Sequence, residues 1–149
     1  MKNKERKKSL IRKLSSYDDI KNNFLLTKSL LKKENKEAKK NNFVRGAYHY
    51  YRPNENSILQ ANNFIQTVQL TSGDFPPVLD IEKLPKTQSL DSLKLGLKRW
   101  LTKVEAHYKM KPIIYSGESY YNDFLKKEFS SKFPFLNELF SLDSYAVLE

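Results

Sequence analysis

Three short apolar runs are separated in this chain by two stretches whose apolar residues step by three and four. The first run, Phe43–Tyr51, is aromatic and β-prone and stops at the turn-forming Arg52-Pro53-Asn54-Glu55-Asn56. The second, Phe75 to Glu82, is apolar until it closes on two acids, with Pro77–Glu82 read as a buried strand. The third is Pro112–Tyr115, followed by Ser116-Gly117. Between them, Ile58, Ala61, Ile65 and Val68 mark one helical face, capped at Asn56 or Ser57. Leu93, Leu97, Trp100, Leu101, Val104 and Tyr108 mark a second and clearer one. Strands separated by a helix's length of chain form parallel βαβ units. Folds built this way place their chemistry at the carboxyl ends of the strands. The spacing therefore predicts an α/β protein with helices over about 57–70 and 90–108.

Beyond the third strand, Tyr120–Leu125 reads as helical, and the pattern after Pro134 is open between helix and strand. Glycine occurs only at 46, 73, 96 and 117, so no Gly-rich phosphate loop is present, and no internal repeat is seen.

Charge divides the chain. Residues 1–40 hold 14 Lys/Arg and 5 Asp/Glu, a net of +9, while residues 41–149 come to +1. The folded part is thus not expected to bind nucleic acid as a whole. Leu10, Leu14, Phe24, Leu25, Leu30 and Leu31 give the basic segment a broken helical periodicity. It reads as a mainly helical N-terminal unit or as a solvated basic face. Cysteine is absent, which excludes disulfides, thiolate metal sites and Cys nucleophiles. With two histidines, His49 and His107, a zinc site of several imidazoles is not expected. No apolar run reaches the ~18–20 residues of a membrane span. The charged N-terminus breaks off without a readable signal peptide.

Asp80 and Glu82 are the residues that point to chemistry. In a strand, residues i and i+2 share a face, so both carboxylates emerge side by side. Like charge and desolvation each favour the neutral form, so one pKa is expected to rise. A neutral acid beside an ionised one is what glycoside hydrolysis uses, one donating a proton and the other stabilising positive charge. The same spacing also fits two loop acids satisfied by Lys83 or by a helix N-terminus.

Gly46-Ala47-Tyr48-His49-Tyr50-Tyr51, Gln60-Ala61-x-x-Phe64, Pro77-Val78-Leu79-Asp80-Ile81-Glu82 and Pro112-Ile113-Ile114-Tyr115-Ser116 occur in that order. Together they resemble the glycoside hydrolase family 25 lysozymes, the Chalaropsis-type N-acetylmuramidases of bacteria and phages. The resemblance covers about residues 36–125. It implies a flattened, TIM-like (β/α) barrel that hydrolyses the β-1,4 bond between N-acetylmuramic acid and N-acetylglucosamine in peptidoglycan. It also implies Glu82 as general acid and Asp80 as the partner assisting the substrate's N-acetyl group or the developing charge. Tyr48 and Tyr115 would be strand-end aromatics binding the sugars. No metal or cofactor is expected. His49 alternates with Tyr48 and should face the opposite way in a structural role, and His107 should lie at the surface or at a helix end.

Two features depart from the family pattern. The family's opening Asp-x-Ser and Lys-Ala-Thr-Glu-Gly strands are not recognisable, nor is its late Trp-x-Ala-x-Tyr motif. Residues 41–149 thus read as a partial barrel domain lacking recognisable first and last strands. An unpaired sheet edge of that kind favours self-association. Three functions follow as alternatives: a peptidoglycan muramidase, a truncated and catalytically impaired cell-wall-binding remnant of that family, or a basic protein whose residues 1–40 hold anionic polymers. The resemblance implies an extracytoplasmic or cell-wall location.

Overall fold

A computed structural model describes residues 10–14 and 45–137. In its sheet, β2, Arg45–Tyr50, has side chains that alternate between buried and half-buried because both faces of the strand are used. On one side β2 pairs in parallel with β3, Val78–Asp80, which pairs with β4, Ile113–Ser116. The flanking strands are β1, Leu10–Leu14, against β2, and β5, Phe135–Asn137, against β4. The sheet is five-stranded, in chain order and parallel throughout. This is the α/β arrangement expected of a partial barrel.

Leu10–Leu14 differs from the helical expectation for residues 1–40. Leu10 and Leu14 are four apart, which reads as a helical step, but the backbone pairs along the edge of β2, from Leu10 opposite Arg45 to Leu14 opposite His49. Pairing with a neighbouring edge overrides a weak local period. The rest of the basic segment, with its expected helices, lies outside the described residues, as does the tail after Asn137. The segment after Pro134, open in the sequence, resolves as β5.

The helices follow the sequence closely. Helix α1, Ser57–Thr67, starts at Asn56, whose side chain accepts from the Ile58 and Leu59 amides. Helix α2, Leu90–Tyr108, is capped by Ser89 and ends at Lys109 in the left-handed region. After β4 come α3, Glu118–Tyr120, a π-helical turn, Tyr121–Leu125, and α4, Lys126–Phe129.

Residues aligned across a parallel ladder share a face, so the register sorts the side chains. Ala47, Leu79, Ile81 and Ile114 pack with Phe64, Leu97, Trp100 and Leu101 of the helices to form the main core. The opposite face carries a smaller cluster of Val78, Ile113 and Leu136, with Tyr48 and Tyr115 packed on it. Each fully buried Leu or Phe side chain contributes roughly 1.5–3 kcal/mol relative to exposure.

Candidate active site

At the carboxyl edge of the sheet, Tyr50 lies opposite Asp80 and Asp80 opposite Tyr115. The three form one row, with Tyr48 one pleat back on the same face. Asp80 is 6% exposed, whereas Glu82 stands in solvent. The backbone explains the difference. The amide of Ile81 donates to the Tyr115 carbonyl at 3.0 Å, and its side chain is fully buried in the main core. That contact turns Ile81 into the core, while Glu82 lies beyond the last rung of β3.

The two acids and the two expected aromatics share one electrostatic neighbourhood. Burial raises the Tyr48 hydroxyl pKa above its usual value, and the charges of Asp80, Glu82 and Tyr115 push it further the same way. Tyr50, not singled out in the sequence, joins the group because register sets it beside Asp80. The Lys83 ammonium stands over its ring, 5.8 Å from the centroid.

His49 faces away from this row, into the main core. Its ring stacks on Trp100 at 5.5 Å and 13°, with Tyr51 and Phe64 edge-on. Its Nε2 lies 2.9 Å from Gln60 Oε1. The Gln60 amide nitrogen donates to the carbonyls of Arg52 and Glu55, so Oε1 is the acceptor and Nε2 of His49 carries the proton. Burial holds the imidazole neutral, with a pKa of about 4. Gln60 Oε1 also accepts from the Arg52 amide. One buried carboxamide therefore ties the end of β2 to the turn and to α1. Its role is not legible in the sequence, where Gln60 enters only as part of the Gln60-Ala61-x-x-Phe64 motif. His107 is exposed in the last turn of α2, edge-on to Tyr108.

Among the described residues, no group of three or more His, Asp or Glu could hold a metal ion, and no helix is long and apolar enough to cross a membrane. The chemistry available at the sheet edge is that of two carboxylates in unlike environments, flanked by tyrosines.

The family model described as Glycosyl hydrolases family 25 matches residues 25–136. The chain belongs to glycosyl hydrolase family 25. The match extends beyond residues 36–125 in both directions, taking in part of the basic segment and most of β5. The uncharacterized protein YegX of Escherichia coli (strain K12) is 44% identical over 85 residues, which is 57% of this chain and 31% of YegX. The chain thus spans about a third of the length of that relative. Among solved structures, a family 25 glycosyl hydrolase from Bacillus anthracis aligns over 87% of this chain and 56% of its own, with a TM-score of 0.63 and 20% identity. A muramidase from Acremonium alcalophilum aligns over 87% and 64%, with a TM-score of 0.64 and 19% identity. The bacterial lysozyme from Streptomyces coelicolor aligns over 87% and 60%, with a TM-score of 0.61 and 22% identity. At these identities the likeness speaks to the fold.

Proposed function

We propose that this chain is a muramidase-type hydrolase of peptidoglycan, with Glu82 as general acid and Asp80 as its charge-stabilising partner. The observation that carries the reading is the shared neighbourhood of Tyr48, Asp80, Glu82 and Tyr115 at the carboxyl edge of a family 25 sheet. Protonated Glu82 delivers its proton to the glycosidic oxygen as the C–O bond breaks. Buried, acceptor-rich Asp80 orients the acetamido group or stabilises the positive charge that develops on the sugar. Water then adds at the anomeric carbon and returns a proton to Glu82. Tyr48 and Tyr115 offer ring faces to sugar C–H surfaces. The substrate places this chemistry outside the cytoplasm, at the cell wall.

The test is reducing-sugar release from purified peptidoglycan by the protein and by Glu82→Gln. Loss of general acid catalysis is expected to cost ~10²–10⁴-fold, with glycan binding retained. A Gln variant that keeps most of the activity removes Glu82 from the role. Glycan binding without any release by the wild type identifies a cell-wall-binding relative instead.

A further inference from the structure

Glu82 is carried by a loop. β3 closes at Asp80 and α2 opens at Leu90, and Glu82, Lys83, Leu84, Lys86 and Thr87 between them are exposed. A surface loop of this length ordinarily samples many conformations. This one is tied down from three directions. Ser116, fully buried at the end of β4, donates its hydroxyl to the Ile81 carbonyl at 2.6 Å. Tyr120, at the end of α3, donates its hydroxyl to the Lys83 carbonyl at 2.9 Å. Asn54 Oδ1, in the turn between β2 and α1, accepts from the Lys86 amide at 3.0 Å, the Thr87 amide at 3.1 Å and the Thr87 hydroxyl at 3.0 Å.

We propose that Tyr120 and Asn54 are positioning residues that hold the Glu82 segment against the sheet edge, with Ser116 as its inner anchor. The Ile81 carbonyl belongs to the peptide unit that enters Glu82, and the Lys83 carbonyl to the unit one residue beyond it, so Glu82 sits between two pinned points of the backbone. A general acid has to reach its oxygen at hydrogen-bond distance, and a misplacement of about 1 Å can cost ~10²-fold. Tyr120 is itself steadied edge-on against Phe124 at 5.2 Å, just before the π-helical turn. Burial keeps its hydroxyl protonated, with a pKa of about 12, so the donor persists across the working range. The kinetic consequence rests on the reading of Glu82 as the acid, whereas the tether does not.

The experiment uses the full chain with Tyr120→Phe, Asn54→Ala, Asn54→Asp and, as control, Tyr108→Phe. The Tyr108 hydroxyl makes the same kind of bond, to the Val68 carbonyl at 2.7 Å, away from the sheet edge. Amide hydrogen exchange and steady-state rates on purified peptidoglycan are both read. In Asn54→Ala, exchange at Lys86 and Thr87 is expected to accelerate about tenfold or more, while Asn54→Asp keeps an acceptor and restores protection. Tyr120→Phe and Asn54→Ala are expected to lower kcat by about tenfold or more with KM nearly unchanged, and Tyr108→Phe to leave kcat alone. Unchanged exchange in Asn54→Ala, unchanged kcat in both variants, or an equal loss in Tyr108→Phe overturns the proposal. A wild type that releases no sugar sinks the hydrolase reading, and the exchange data then decide the tether by themselves.

Discussion

The phenolic oxygen of Tyr51 stands 2.5 Å from where a β-carbon on residue 96 would lie, so Gly96 is the opening in α2 through which that ring enters. Glycine inside a helix costs ~1 kcal/mol relative to alanine, and here the cost is offset by burial of a tyrosine to 1% exposure. Gly96→Ala is expected to destabilise by about 1–3 kcal/mol in denaturant unfolding. In a Tyr51→Phe background the obstructing atom is gone, and the same substitution becomes nearly neutral. Additive effects in that double-mutant cycle would show that the two residues do not compete for the space.

His49 sets a pH dependence of stability. Its folded pKa of about 4 lies below the unfolded value of 6.5, so between these values the unfolded chain binds a proton that the native one refuses. Stability is complete above about pH 6.5 and falls as pH drops towards 4, by up to about 3 kcal/mol. Thermal melts across that window are expected to lose this slope in His49→Gln, whose overall stability is lower because the Trp100 stack and the Gln60 bond go with it. A slope that survives the substitution assigns the effect to other groups.

Titration of Tyr48 reports on the acid pair. Asp80→Asn removes a negative neighbour and is expected to lower the Tyr48 pKa, though not to its ordinary value, because burial is the larger cause and remains. Glu82→Gln acts in the same direction and less strongly. Tyrosine-labelled NMR through the alkaline range measures both, and a Tyr48 titration unmoved by either variant separates it from the carboxylates.

Arg45 anchors the amino end of β2. Its Nε donates to Asp74 Oδ1 at 2.9 Å, and its terminal nitrogen to Asp74 Oδ2 at 2.5 Å and to the Thr71 hydroxyl at 2.7 Å. Both partners of the ion pair are at most 9% exposed. Asp74→Ala leaves the guanidinium buried without its carboxylate and is expected to cost about 3 kcal/mol in chemical denaturation. Added salt should change the wild-type pair little, since buried charges are weakly screened.

Much of this architecture is legible in the sequence. Helix α2 spans 90–108 as its apolar spacing predicts, β2 and β3 fall within their apolar runs, and β4 runs one residue past its own, to Ser116. His49 faces the helices because strand alternation leaves it no other side. The parts played by Tyr50 and Gln60 are not local properties of the chain. Tyr50 matters through the residue it meets across the ladder, and Gln60 through two turn carbonyls and a ring from another element.

The sequence by itself determined the strand–helix order, since the repeat lengths of strands and helices are local properties of the chain. Only the tertiary structure decided that Leu10–Leu14 and Phe135–Asn137 become strands, because such short segments gain their hydrogen bonds from edges formed elsewhere in the sequence. It also decided that Asp80 is buried while Glu82 is exposed. That division depends on how far β3 is covered by β2 and β4, and on three side chains from distant positions that hold the loop beyond it.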